Sequence, residues 1–347
     1  MSYPKNAKIY GNKTVYGTLF NFIACGIATG VFNRAYGLGL RAWHILAIAI
    51  FATLLELFTS RGLDNITVTL GASFLAYLFV NFSGAENYLV PILLTPLIIA
   101  LAYKKKALTL SGIIAAIAVD IVISVTLGNF GFTVLLAFFG CGIAVDKIKK
   151  RNKKAGQSVK RGIEKRGDCR DHVQVLANSL VSAILAILYF LTGNRIFIIA
   201  FVASLAEALA DTAASGIGVL YGKAFDPFRM RPCAPGVSGG MSLLGTAASA
   251  VGAILISLIG LAFNAYDFAS AIIIAVTATL GAIFDSFLGS LVQVKYKCQI
   301  CDLVTERQEH CGRPTVKHSG LRIVNNDTVN LLGTLFAAML SALLYMI

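Results

Sequence analysis

Leu205-Ala206-Glu207-Ala208-Leu209-Ala210-Asp211-Thr212 and Pro235-Gly236-Val237-Ser238-Gly239-Gly240-Met241-Ser242-Leu243-Leu244-Gly245-Thr246, joined by a short basic connection, decide how this chain is read. The first stretch sets Glu207 and Asp211 one helical turn apart on one face, inside a segment otherwise apolar enough to lie in lipid. Ionisable groups at membrane depth are expensive and mark function by default. The second stretch is a glycine-rich turn that runs straight into another apolar helix. Backbone N–H groups converge at such a turn and favour an anion such as phosphate. Carboxylates for a cation beside a cradle for phosphate is the chemistry these residues point to.

Working outward, the 347 residues are 57% hydrophobic and 14% charged, far from the roughly 45–50% and 25% of soluble globules. Apolar runs of spanning length recur and predict an all-α, polytopic transmembrane helix bundle of about eleven spans. They lie near 15–33, 42–58, 66–82, 87–102, 108–126, 131–146, 173–192, 195–221, 241–263, 268–294 and 327–347. Met1 to Lys13 is polar and basic, so no cleavable signal sequence is expected.

The net charge of +13 sits in the connections: Lys104 to Lys106, a dense run from Lys147 to Arg170, Lys223 to Arg231, and Lys295 to Arg322. These fall on one side when the spans are counted off. The other side keeps chiefly Arg34, Arg41, Glu86, Arg195 and Asp267. The positive-inside rule makes the basic side cytoplasmic, with the N-terminus in and the C-terminus out. The basic balance is therefore topology, with anionic headgroups or nucleotides as a secondary attraction and no nucleic acid as partner. The expected location is multi-pass in the cell membrane, with the polar site on the cytoplasmic side.

A weak repeat of three spans is visible. Gly17-Thr18 superposes on Gly245-Thr246, Glu56 then falls one position from Asp285, and Asp64-Asn65-Ile66-Thr67 matches Asn326-Asp327-Thr328-Val329 after an insertion. Both copies start on the same side, so the repeat is parallel. Lys13, Glu56, Asp64 and Asn65 would form a second, degenerate polar cluster.

In the tenth span Gly281, Asp285 and Gly289 share a stripe with Ser286 and Ser290 nearby. Glu207, Asp211 and Asp285, from two helices, would converge on a hard cation, for which oxygen ligands suit magnesium. Asn178 lies one turn inside the seventh span and is open to a ligating or a structural role. Asp120, toward the outer end of its helix, reads as a structural hydrogen bond. The insertion after the tenth span carries Cys298-Gln299-Ile300-Cys301 and His310-Cys311, a ligand set for a structural zinc, with His318 as a substitute ligand. Cys25, Cys141, Cys169 and Cys233 read as ordinary small residues.

From about Leu89 to Ile347 the chain resembles a family of integral membrane proteins whose best-described members are the phytyl-phosphate kinases. The resemblance rests on Ala107-Leu108-Thr109-Leu110-Ser111-Gly112, Gln174-Val175-Leu176-Ala177-Asn178 and Ala206-Glu207-Ala208-Leu209-Ala210-Asp211-Thr212. It continues through Pro235-Gly236, Gly239-Gly240-Met241-Ser242-Leu243-Leu244-Gly245-Thr246, Cys298, Cys301, His310-Cys311-Gly312 and Asn326-Asp327-Thr328-Val329-Asn330. One departure stands out. After the Asp the family usually reads Ala-Ser-Glu, whereas here it is Ala214-Ser215-Gly216. Residues 5–80 are similar to the C-terminal half of CTP-dependent phytol and dolichol kinases, on Gly11-Asn12-Lys13-Thr14-Val15-Tyr16-Gly17-Thr18 and Leu63-Asp64-Asn65-Ile66-Thr67. The domain division expected is thus 1–88 and 89–347, the latter with a cytoplasmic loop at 147–172 and the Cys/His insertion at 295–325.

The resemblance implies magnesium-dependent transfer of a phosphoryl group from a nucleoside triphosphate, with CTP favoured, to an isoprenyl monophosphate, giving the diphosphate. Glu207, Asp211 and Asp285 would hold magnesium. Ser238, Gly239, Gly240 and Ser242, with Lys223 or Arg231, would hold phosphate oxygens, and Asn178, Asp327 and Asn330 would complete the polar end. Two other functions share these features. A cytidylyltransferase making a CDP-lipid would use the same metal and nucleotide groups. A secondary transporter would also place acids and glycine-broken helices in the membrane, although its polar motifs would gather near the midplane and its repeats are commonly inverted.

Overall fold

The computed structural model describes residues 8–10, 13–58, 63–82, 84–104, 107–151, 169–221, 223–233 and 235–347. Gly11-Asn12, Arg61-Gly62, Lys105-Lys106 and most of the basic connection, residues 152–168, lie outside the described residues. The chain divides into two compact units, Met1–Lys105 and Lys106–Ile347.

In the first unit, β1 (Lys8–Tyr10) and β2 (Lys13–Thr14) pair antiparallel and lead into α1 (Val15–Tyr36). Then follow α2 (Ala42–Phe58), α3 (Leu63–Asn81), a 3-10 turn (Ala85–Tyr88) and α4 (Leu89–Lys104). Helix α2 packs against α1, α3 and α4, burying Ile48, Phe51 and Leu75. The motif-based segment ends at residue 88, but α4 joins this unit through α2. Lys13 Nζ bridges Glu56 and Asp64, the latter at 2.8 Å, so the predicted second cluster is a closed ion triad. Burial pulls the Lys13 pKa down, but the hydrogen bonds to Asp64 and Glu56 outweigh that and hold it above its ordinary value.

The second unit begins with α5 (Leu110–Arg151), broken at Gly128, whose φ of 59° and ψ of −144° no helix contains. Glycine alone adopts that conformation cheaply. The break reverses the chain. A Cβ at Gly112 would lie 2.5 Å from Arg170 O, and one at Gly142 would lie 3.5 Å from Arg170 Nη2. Both arms therefore reach the same residue, whereas a straight helix would hold them ~45 Å apart. The two arms are the fifth and sixth predicted spans.

Next come α6 (His172–Thr192), α7 (Arg195–Gly218), α8 (Leu243–Ala262), α9 (Phe268–Leu291) and α10 (Asn326–Met346). Asp171 and Gln174 form a reciprocal capping box at the start of α6, and Gly193 ends that helix with φ of 67°. Helix α7 is the axis of the unit, in contact with α5, α6, α8, α9 and α10. Every residue from Ile198 to Ala210 is buried, the pattern of a helix packed on all sides. Phe201, Leu205 and Leu209 are its largest buried apolar groups. The small residues between them let neighbours approach closely, as at Gly252 of α8, which faces Leu209 and Ala210.

Each predicted span coincides with a helix or an arm of α5. Among the described residues seven helices, counting α5 once, are long and apolar enough to cross a membrane, α2 and α4 are apolar but shorter, and α3 falls in neither group. The connections also carry short antiparallel ribbons that apolar periodicity did not foretell. β3 (Ala224–Asp226) pairs with β4 (Arg231–Cys233). β5 (Lys295–Lys297) lies between β6 (Val304–Thr305) and β9 (Val316–Ser319), and β7 (Glu309–His310) pairs with β8 (Arg313–Pro314).

Candidate functional site

A cavity of about 770 Å³ opens at one end of the second unit. Its wall comes from the C-terminal ends of α5, α7 and α9, the N-terminal ends of α6, α8 and α10, and the connections between them. The C-terminal ends of α5, α7 and α9 thus meet at one end of the bundle, as span counting requires.

Asp211 on α7 and Asp285 on α9 both line this cavity, and each lies in the other's electrostatic field or in that of Glu306. Asp211 is seven residues before the end of α7, ~10 Å below that helix end. Glu207, one turn deeper, is 1% exposed and does not line the cavity. Its carboxylate is wedged between Gly281 and Gly333: a Cβ at either would lie 2.5 Å from Glu207 Cγ or 2.6 Å from Oε1 respectively. Asp285 Oδ2 and Glu207 Oε1 are buried without a hydrogen-bond partner. A buried, unpartnered polar atom costs about 1–3 kcal/mol, and a carboxylate more. The donor set is all oxygen and anionic, and Asp285 is one of the residues that line the cavity. Asp211 and Asp285 are the carboxylates whose oxygen donors suit a hard divalent cation such as magnesium. Glu207 stands behind them, off the cavity wall, and among the described residues the three acids do not gather as a ligand group.

The glycine-rich stretch forms a loop against α9. Gly236 and Gly239 have φ of 88° and 87°, and Gly240 N–H closes a turn on Val237 O at 3.0 Å. At Gly239 the loop backbone presses on α9, since a Cβ there would lie 2.5 Å from the backbone of Ser290. Three contacts hold it. Lys295 Nζ donates to Ser238 O at 2.7 Å, Ser238 Oγ donates to Glu306, and Met241 exchanges two backbone bonds with Phe225. Behind it, Ser290 Oγ donates to the buried Asp226 at 2.7 Å and Arg229 donates to Ser290 O at 2.7 Å. Burial lowers the Lys295 pKa from its ordinary value.

Ser238, Gly239, Gly240, Ser242, Asn178, Asp327 and Asn330 all line the cavity. Two of these have their hydroxyls engaged inside the protein. Ser242 caps α8, accepting from Gly245 N and donating to Gly218 O, both at 3.1 Å, while Ser238 donates to Glu306. Lys223 and Arg231 are exposed and stand outside the lining. The cations on the wall are instead Lys149, Arg170 and Arg322. Arg170, 3.4 Å from Asp146, is fixed by backbone bonds to Ala107 and Thr109. Sequence reading missed Arg170 and Arg322 because they lie in polar connections, where a lone basic residue carries no periodic signal, and Lys149 because it sits among other basic residues in the last turn of α5. It missed Glu306 because the flanking cysteines drew the whole insertion into a metal reading. Gly216, where the resembled pattern has Glu, also borders the cavity.

Cys298, Cys301, His310 and Cys311 gather at the tip of the β5–β9 ribbon, with one ligand atom from each within 4.8 Å of the others. His318 is not in this group. Backbone N–H groups of Cys301 and Ile300 hold the Cys298 thiol down to about 6. Asp120 accepts from Ser124 Oγ at 3.0 Å, a structural bond as read. Cys25, Cys141, Cys169 and Cys233 are not part of the Cys/His group.

Residues 93–338 match the family model described as Integral membrane protein DUF92. The chain is 30% identical over 221 residues to an uncharacterized membrane protein of Synechocystis, spanning 62% of this chain and 84% of the relative. It is 27% identical over 262 residues to an uncharacterized membrane protein of Methanocaldococcus jannaschii, spanning 74% and 93%. It is 26% identical over 268 residues to Protein VTE6, chloroplastic, of Arabidopsis thaliana, spanning 75% and 70%. No solved structure matches. The chain belongs to the integral membrane family DUF92.

Proposed function

We propose that this DUF92 protein is a membrane-embedded phosphotransferase that carries a phosphoryl group from a nucleoside triphosphate, CTP in preference, to an isoprenyl monophosphate. The observation that carries this reading is the single cavity in which Asp211 and Asp285 face the Pro235–Gly240 loop and the Arg170 and Arg322 side chains. The ordered motifs shared with phytyl-phosphate kinases support the same reaction class. The positive-inside rule puts the cavity at the cytoplasmic face.

Transfer between phosphates asks for positioning and charge neutralisation more than covalent chemistry. Asp211 and Asp285 would hold magnesium, with Glu207 behind them. Magnesium, when bound, offsets the phosphate charge on the transferred group. Free loop amides between Gly236 and Gly239 would meet phosphate oxygens, since the Ser238 and Ser242 hydroxyls and the Gly240 N–H are already committed. Arg170, Lys149 and Arg322 oppose the remaining negative charge. The acceptor monoester is ionised near neutral pH, with a second pKa of about 6, so no strong general base is required. Asn178, Asn330 and Asp327 orient the polar end, and the prenyl tail stays among the membrane spans.

The test incubates the purified chain with prenyl monophosphates, magnesium and each nucleoside triphosphate. Formation of prenyl diphosphate with release of nucleoside diphosphate is expected. Pyrophosphate release with a CDP-lipid would replace this reading by cytidylyl transfer, and absence of any turnover across the panel would sink it.

A further inference from the structure

We propose that Cys298, Cys301, His310 and Cys311 bind one zinc ion, and that the ribbon it pins carries Glu306 to the wall of the polar cavity. The first half stands on the four side chains alone. The second half rests on the phosphate reading of the cavity given above.

Three of the spacings match the edges of a zinc tetrahedron. Zn–S of about 2.3 Å and Zn–N of about 2.0–2.1 Å give tetrahedral edges of ~3.8 Å between sulfurs and ~3.5 Å between sulfur and nitrogen. Cys301 Sγ and Cys311 Sγ are 3.8 Å apart, and His310 Nδ1 lies 3.4 Å and 3.2 Å from them. A disulfide needs sulfurs about 2.05 Å apart, so this is not a bridge. Cys298 is buried and receives Ile300 N–H at 3.4 Å, a bond that steadies a thiolate. Three sulfurs and one imidazole closing a four-ligand set favour zinc in a structural site.

Apart from short strand pairings and a few polar contacts, the segment has little buried apolar surface to hold it. Between Gln299 and Ile323 the only buried residue is Thr305, and the strands here are two to four residues long. A piece this small cannot exclude enough apolar surface to order itself and needs a staple. Yet it delivers a functional group: Glu306, next after β6, accepts from Ser238 Oγ and from Gln293 Nε2 at 2.9 Å. The chain of contact runs from the Cys/His cluster, through the ribbon, to Glu306 and the loop that faces phosphate.

Zinc counted by elemental analysis on the detergent-purified full chain should be one per molecule. Cys298→Ser with Cys301→Ser should fall below about a tenth of that, and cobalt exchanged into the wild type should show tetrahedral thiolate absorption. Stripping the metal should speed tryptic cleavage at Lys297, Arg307 and Lys317 at least tenfold and weaken equilibrium CTP binding, with cobalt restoring both. Glu306→Gln should keep the zinc while weakening CTP. No zinc, equal zinc in the double variant, or iron in its place overturns the metal site. Unchanged cleavage on stripping overturns the positioning role. Zinc count and cleavage decide the inference even where the wild type binds no CTP, a result that counts only against the phosphotransferase reading.

Discussion

The Glu207 carboxylate occupies the space that a side chain on Gly333 would need: a Cβ built there lies 2.6 Å from Glu207 Oε1. Gly281 is equally close on the other helix, 2.5 Å from Glu207 Cγ. An acid at the axis of the bundle is thus seated by two missing side chains. Gly333→Ala should cost about 1–3 kcal/mol through overpacking and push Glu207 toward Asp285. The check pairs thermal unfolding in detergent with turnover. If both are unchanged, the two glycines do not set the position of Glu207.

Asp211→Asn and Asp285→Asn keep the shape of the cavity wall and remove one charge each. Each should lower phosphoryl transfer by roughly 100-fold or more, the scale of a lost electrostatic contact in the transition state. Magnesium titration separates the causes: a shifted requirement for magnesium marks a ligand. A variant with wild-type turnover removes that residue from the mechanism.

Gly239 sits at φ of 87° with Ser290 backbone 2.5 Å from where a Cβ would be. Gly239→Ala should cost about 1–2 kcal/mol in backbone conformation alone, before the loop moves off α9 to relieve the contact. The expected signature is a raised KM for the nucleotide with a smaller change in kcat. Unaltered nucleotide KM would show that this loop does not meet the phosphates.

Lys13 holds Glu56 and Asp64 together in the first unit. Removing it as Lys13→Met strands both acids and should lower stability by about 1–3 kcal/mol, read as a drop in Tm. The folded Lys13 pKa lies above its unfolded 10.5. Its contribution is therefore complete below pH 10.5 and is lost as pH rises through the folded value, so on the alkaline side the Tm gap between wild type and variant should close only in strong alkali. In acid it should close as Asp64, whose bond to Lys13 holds its pKa below the ordinary carboxyl value, is protonated. A gap that closes near neutral pH would assign the stability to another group.

The two halves of the weak repeat share local chemistry as well as spacing. Thr14 accepts from Gly17 N at 3.2 Å, and Ser242 accepts from Gly245 N at 3.1 Å. Glu56 and Asp285, one position apart in the superposition, each keep a buried oxygen without a partner. What differs is the neighbour: a lysine closes the first cluster, while the second borders an open cavity.

Spans, their order, and the identity of the intramembrane acids were legible in the sequence, because burial in lipid demands long apolar runs and makes every exception conspicuous. So were the glycine loop and the four Cys/His residues that gather at one point, whose residue types carry their chemistry locally. Glycine at 128 and its reversal of α5 were legible only as a gap between two apolar runs. The division between lining and supporting residues was settled by tertiary structure alone. Glu207 and Asp211 look equivalent at i and i+4, yet one turn of helix places the first between two glycines and the second on the cavity wall. Arg170, Arg322 and Glu306 come from polar connections with no periodicity, and Lys223 and Arg231 point elsewhere although they lie closer in sequence to the loop. Which charges meet across a cavity depends on how helix ends are packed together, a property of long-range contacts that no local pattern encodes.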